Sequence, residues 1–190
     1  LNFSKNTCTS LIVNKFLNNR FNLWAIIGTF GDNLNQIALE ECKKLKIGPK
    51  KEQLLENLGI CLNYNSYGLS IENLIFPPIE IYKSIKPYKN PFDFLEEKAE
   101  MISKIFNYMQ NDLANAKKIH VQSISKNVNL ITLPNANWAK RVIGAFSNYL
   151  ANEHASQAHL VLLDIGEGNY NVSIRAPIDN PINAYKVAQK

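Results

Sequence analysis

Two residues near the end of the chain, Ser173 and Arg175, have side chains that together could hold a phosphate group. They stand two positions apart in NYNVSIRAP (residues 169–177), where apolar and polar residues alternate. Alternation of period two predicts a β-strand, so the hydroxyl and the guanidinium point the same way. A guanidinium fork matches two phosphate oxygens. The alternative is an ordinary solvated strand face, which the spacing alone favours.

The carboxylate of Asp32 is a second candidate for chemistry. An apolar run in LWAIIGTFGDN (residues 23–33) leads to two glycines and then to this acid. We expect a glycine-containing turn that places Asp32 against a cleft. Oxygen ligands of this kind suit hard divalent cations. The alternative is that Asp32 is the N-cap of a helix predicted over residues 34–45, and one oxygen could cap while the other binds.

The elements that would position these residues are helices in the first half of the chain and both helices and strands in the second half. In chain order, periodicity and capping signals predict helices over 34–45, 50–62 and 91–116, strands at 118–124 and 129–133, a helix from 137, and strands at 160–163 and 170–176. The turn between the last two strands is Gly166-Glu167-Gly168-Asn169. The second half is thus predicted to be hairpin, helix, hairpin. We predict an α/β protein, of α+β character within this chain.

The order of helix, apolar strand, glycine-rich turn and NVSIRAP resembles the DHH-associated C-terminal domain of DHH-family phosphoesterases. These are the relatives of RecJ exonucleases, oligoribonucleases and exopolyphosphatases. WAIIGTFGDNLN likewise resembles the last acidic motif of the DHH domain. The resemblance implies that Ser173 and Arg175 hold substrate phosphate. It also implies that Asp32 is a ligand of two divalent ions, Mn²⁺ or Mg²⁺, in the intact parent.

The resemblance also implies a domain organisation. Residues 1–88 would be the remainder of a DHH catalytic domain, 89–117 a connecting helix, and 118–190 a truncated DHH-associated domain. No Met precedes Met101 and the first residue is Leu, so we expect a piece of a longer protein. The Asp-x-Asp pair, the Asp-His-His triplet and the Gly-Gly-Gly loop of the family do not occur in the chain.

One aspartate cannot hold two metal ions, because such a site needs several carboxylates and imidazoles. We therefore expect the chain alone to be inactive. The parent would hydrolyse phosphodiester or phosphoanhydride bonds, in single-stranded nucleic acid, an oligonucleotide or polyphosphate.

The alternative is a non-catalytic module that binds a nucleotide or single strand. Its candidate contacts are Arg175, Lys140, Arg141 and the loop of Tyr64 and Tyr67. Possible substrate contacts of the phosphoesterase are Arg141, Asn65 and Tyr67. The last two belong to the loop LNYNSYG (residues 62–68), whose Tyr-Asn-Tyr cluster could stack a base and bond its edges. In most loops of this composition the asparagines bond to their own backbone instead. A third hypothesis is a purely structural or dimerising domain.

Composition narrows the classes of partner and compartment. A net charge of +5 and a pI of 9.0 are compatible with a polyanion. No apolar run approaches the 18 or so residues of a membrane span, so we expect no membrane partner and leave a homodimer open. The three widely spaced cysteines predict free buried thiols in the cytoplasm rather than disulfides or zinc.

Overall fold

The computed structural model describes residues 7–177, 179 and 184–188. It shows helices together with a four-stranded mixed sheet, which confirms the predicted α/β class. The chain divides into two compact units. Unit 1 comprises Leu1–Ser66 with Ile75–Asn107, and unit 2 comprises Tyr67–Leu74 with Tyr108–Lys190.

The described part of unit 1 is built from helices alone. They are α1 Thr9–Phe16, α2 Asn22–Gly31, α3 Asn35–Lys44, α4 Pro49–Tyr64, α5 Pro78–Ile85, α6 Pro91–Glu97 and the first half of α7 Ala99–Lys117. Three of these helices begin with proline, whose fixed φ suits the first helical position and whose missing N–H would have no helical partner there. The core is apolar, with Ile26, Phe30, Leu55, Leu58 and Phe94 almost fully buried.

Unit 2 is a sheet with a crossover helix. After the 3-10 turn Ile71–Asn73 and the end of α7 come β1 Val121–Ser125, β2 Val128–Leu133, α8 Asn137–Glu153, β3 Ala158–Gly166, β4 Asn169–Arg175 and α9 Ala184–Ala188. The strands lie in the order β1-β2-β3-β4, with antiparallel outer pairs and a parallel central pair. A parallel pair needs a crossover, which α8 supplies. The predicted order of hairpin, helix, hairpin is confirmed.

Helix α8 covers one face of this sheet. Alternate residues Ile131 and Leu133 of β2 pair with Val161 and Leu163 of β3, and all four are fully buried. Val142 and Phe146 of α8 are equally buried, and the helix contacts both β3 and β4. The core of unit 2 therefore lies between α8 and this face.

Two predictions about helices were wrong. Helix α2 continues through Gly31, so no turn separates Gly28 from Asp32. The long helix expected over residues 91–116 is two helices that part at Lys98. Phe94 packs against Trp24 and Tyr88, which anchors α6 separately from α7. The apolar periodicity runs on through Lys98, so the pattern could not reveal this break.

Two expectations from composition can be compared with the structure. Cys8, Cys42 and Cys61 are buried and free, as their spacing predicted. Within the described ranges, no helix is both long and apolar enough to cross a membrane.

Candidate functional site

The register of β4 places Ser173 and Arg175 on the face covered by α8. Ser173 pairs with Val161, and Arg175 pairs with His159. Residues paired in this way share one face of the sheet, so the predicted common direction of the two side chains is confirmed. Both are half-buried, and so is Ile174 of the opposite face, whereas Asn171, which shares their face nearer the turn, is exposed. Burial thus increases towards the C-terminal end of β4, and Ser173 and Arg175 lie in the partly buried part of the strand.

Four hydrogen bonds hold the guanidinium of Arg175. Its Nε and Nη2 donate to the same oxygen, Oδ1 of Asn148, at 3.2 and 3.0 Å. Its Nη1 donates to Ser173 Oγ at 3.3 Å and to the carbonyl of Ile174 at 3.2 Å. All these acceptors are neutral, and no carboxylate of the described residues pairs with Arg175. The positive charge is thus fixed in place but not compensated.

The same hydrogen bonds leave two donors for an incoming anion. A guanidinium has five N–H groups, and the four bonds use four of them, leaving one on Nη2. The hydroxyl of Ser173 accepts from Arg175, so its own proton is available to another oxygen. A phosphate oxygen could accept from both donors, and charge-assisted bonds of this kind are the strong ones.

His159 is the cross-strand neighbour of Arg175 and is only 1% exposed. Its Nε2 lies 3.4 Å from the carbonyl of His154, while Nδ1 has no hydrogen-bond partner among the described residues. Burial, with a smaller contribution from the charge of His154, lowers the pKa of His159 below its ordinary 6.5. The imidazole is therefore neutral at pH 7 and adds no charge beside Arg175.

Close helix packing in unit 1 fixes the position of Asp32, which is the C-cap residue of α2. A Cβ on Gly31 would lie 3.1 Å from the carbonyl oxygen of Gly59 in α4, and one on Gly59 would collide with the carbonyl of Ile27. Gly31 therefore serves the approach of α4, and Gly28 the approach of α1, where an added Cβ would lie 2.7 Å from Ser10. The N-cap of α3 is Leu34, so the alternative in which Asp32 caps that helix is wrong.

Asp32 is exposed and borders two cavities of unit 1, of about 590 and 250 Å³. Trp24 and Gly28 line both cavities beside it. Among the described residues its carboxylate has no hydrogen-bond or ion-pair partner. A negative charge at a helix C-terminus is opposed by the helix dipole, so a cation there would be favourable.

The residues described do not form the two-metal centre that the family resemblance implies. No group of three or more His, Cys, Asp or Glu side chains that could hold a metal ion occurs among them. Asp32 would supply a single carboxylate, whereas Mn²⁺ and Mg²⁺ take about six ligands. No chemical step through a metal can therefore be built from this part of the chain.

Arg141 is engaged in a buried ion pair. Its Nε donates to Asp112 Oδ2 at 2.8 Å, and the two side chains are only 12% and 5% exposed. Its Nη1 donates to the carbonyl of Asn73 at 3.3 Å, and its guanidinium lies 5.4 Å from the ring centroid of Tyr108. A residue held in this way stabilises unit 2, whatever else it contacts.

The loop predicted over residues 62–68 begins later than expected, because α4 continues through Tyr64, and its candidate contacts are also engaged in the fold. Asn65 is 4% exposed; its Oδ1 accepts from the backbone N–H groups of Ile75 and Phe76 at 3.2 and 3.1 Å. Its Nδ2 donates to the carbonyl of Phe76 at 2.9 Å. Tyr64 is 1% exposed and so is not available to stack on a base. The ring of Tyr67 occupies the space where Gly144 has no Cβ.

Asn148 is the residue of this site that sequence reasoning missed. It lies on α8, in NYLANE, with no motif around it. Its contact with Arg175 depends on how α8 crosses β4, which periodicity does not specify.

Comparisons of the chain with protein-family models, with curated proteins and with solved structures found no match.

Proposed function

We propose that this chain is the phosphate-binding part of a phosphoesterase and that Ser173 and Arg175 bind the substrate phosphate. One observation carries the proposal. Arg175 is half-buried and held by four hydrogen bonds to neutral acceptors, and no ion pair joins it to an acid among the described residues. A partly desolvated charge is costly unless a counter-charge meets it. An anionic ligand would supply that counter-charge.

The substrate class follows from the resemblance of NVSIRAP and WAIIGTFGDNLN to DHH-family motifs. Phosphodiester or phosphoanhydride bonds are the proposed targets, in single-stranded nucleic acid, an oligonucleotide or polyphosphate. A Mn²⁺ or Mg²⁺ pair would supply the activated water. Asp32 would hold one metal ion, together with ligands from outside this chain. The chain by itself would bind without hydrolysing.

A second candidate function is a non-catalytic module for nucleotides or single strands. It needs only Arg175 with its neighbours Ser173 and Asn148 in unit 2. The net charge of +5 suits a polyanionic ligand. It makes no use of Asp32. The two candidates therefore differ in what Asp32 does.

Binding of fluorescein-labelled oligo(dT)₆ to the 190-residue chain, followed by anisotropy, tests the shared claim. Arg175→Ala should weaken binding about 10–100-fold, because a charge-assisted hydrogen bond is lost. The control is Arg20→Ala, which removes the same charge from an exposed residue of unit 1 and should change affinity by about twofold at most. Equal affinities of the two variants would refute the proposal.

Hydrolysis distinguishes the two candidates. In the full-length parent, Mn²⁺-dependent cleavage of oligo(dT)₆ or polyphosphate should be lost in Asp32→Asn, while binding persists. Cleavage that is unaffected by Asp32→Asn would remove the metal role of this residue. A parent that binds but never cleaves would favour the binding module.

A further inference from the structure

The side chain of Asn148 accepts two hydrogen bonds from the guanidinium of Arg175. One oxygen, Oδ1, accepts from both Nε and Nη2. Aspartate has nearly the same shape as asparagine and would form the same two contacts as an ion pair. Unit 2 contains an arginine–aspartate ion pair, in which Nε of Arg141 donates to Oδ2 of Asp112.

We propose that Asn148 is a positioning residue, which aims Arg175 at a phosphate without neutralising it. The inference rests on the proposed function, since it explains how that site keeps its charge. Arginine has a long side chain that loses much conformational freedom when a ligand immobilises it. Two hydrogen bonds from Asn148 fix the guanidinium in advance, so less freedom is lost on binding.

The neighbours of Arg175 are consistent with this role. The hydroxyl of Ser173 and the carbonyl of Ile174 hold Nη1 without charge, and His159, the cross-strand partner, is buried and neutral. An aspartate at position 148 would hold the guanidinium equally well. It would also cancel the charge that attracts the ligand and repel the phosphate.

Two substitutions separate orientation from charge. Asn148→Asp keeps the shape and adds a negative charge, whereas Asn148→Leu keeps the approximate volume and removes the acceptor. Asn107→Asp, on an exposed position of unit 1, is the matched control for the added charge. All are measured with the 190-residue chain and labelled oligo(dT)₆ from 50 to 300 mM salt. Urea denaturation shows that each variant is folded.

Asn148→Asp should weaken binding about tenfold or more and lower the slope of log K against log salt by about 0.7, which is one phosphate contact with a single strand. Asn148→Leu should weaken binding severalfold and keep the wild-type slope, because Arg175 stays charged but is no longer aimed. Asn107→Asp should leave both quantities nearly unchanged. The slope is the decisive measurement, since a merely structural asparagine would not alter it.

Three results would overturn the inference. If Asn148→Asp binds like wild type while Arg175→Ala binds weakly, Asn148 has no such role and the proposed function stands. If the Asp and Leu variants lose affinity with the same unchanged slope, the charge argument is wrong. If wild type shows no binding that depends on Arg175, the proposed function falls and this inference falls with it.

Discussion

Two arginines of unit 2 contact or lie on α8, and they differ in what surrounds their charge. Arg141 is paired with Asp112 in a nearly dry environment, and its other contacts tie α8 to the 3-10 turn through Asn73. Arg175 is also held by several hydrogen bonds, but its acceptors are Asn148, Ser173 and a carbonyl, all neutral. A firmly bonded arginine is therefore not in itself a sign of function. The charge of its partners separates a structural arginine from one available to a ligand.

Loss of Arg141 should have the largest effect on stability. Arg141→Ala removes the cation that pairs with the buried carboxylate of Asp112, which costs about 3–5 kcal/mol of unfolding free energy. Urea denaturation followed by circular dichroism measures it. A cost below about 1 kcal/mol would mean that water reaches Asp112 and that the two arginines are less different than their contacts indicate.

Removing both members of the buried pair should restore most of that loss. Replacing a buried ion pair by apolar residues of similar size is often neutral or stabilising. We expect Arg141→Met with Asp112→Leu to lie within about 2 kcal/mol of wild type in the same denaturation experiment. A double variant as unstable as Arg141→Ala alone would show that the bonds of Arg141 to Asn73 and Tyr108, rather than the ion pair, hold this end of α8.

Arg175→Ala should cost only about 1 kcal/mol of stability, since its bonds are to neutral groups and no buried charge is left behind. The same variant is expected to lose most of its affinity for oligo(dT)₆. Loss of Arg141 would thus reduce mainly the stability, whereas loss of Arg175 would reduce mainly the affinity. A stability loss as large as that of Arg141→Ala would end the distinction between them.

His159 should give the smallest effect, and one that depends on pH. Its pKa is lowered in the folded protein, chiefly by burial, so below about pH 6.5 the unfolded chain takes up a proton that the folded chain does not. Stability should therefore decrease as the pH falls from 6.5 towards the lowered pKa of the folded state, and level off below it.

His159→Leu removes this linkage and the unpartnered Nδ1, and should change stability by about 0.5 kcal/mol or less at pH 7.5. Urea midpoints at pH 7.5 and 5.5 test it. The wild type should lose more of its midpoint between these two pH values than the variant does. Equal losses would mean that another group carries the acid sensitivity.

The sequence predicted best those features that depend on residues close together in the chain, such as strands and turns. Period-two alternation found β4 and the shared direction of Ser173 and Arg175, and apolar runs with turn residues found the two hairpins of unit 2. The parallel pairing of β2 with β3 could not be predicted, because it follows from the path of α8 over the sheet. The end of α2 was also missed, since glycines that admit a neighbouring helix look the same in sequence as glycines that form a turn.

The candidate site was harder to predict because its contacts join distant residues. Arg141, a predicted substrate contact, is paired with Asp112, 29 residues earlier. Asn148 reaches Arg175 across 27 residues. Two residues of the same type can therefore have opposite electrostatic roles. Only the tertiary partner, acid or amide, decides which role each one has.

Arg141 and Asn148 stand seven residues apart on α8, which places them on one stripe of the helix about 10 Å from each other along its axis. A helix moves largely as a rigid rod over such a length. A small rotation of α8 at the buried ion pair would therefore turn the side-chain amide of Asn148, which holds Arg175, through the same angle. Sequence drift around Asp112 could in this way tune ligand affinity from a distance, with no change in any group that touches the ligand.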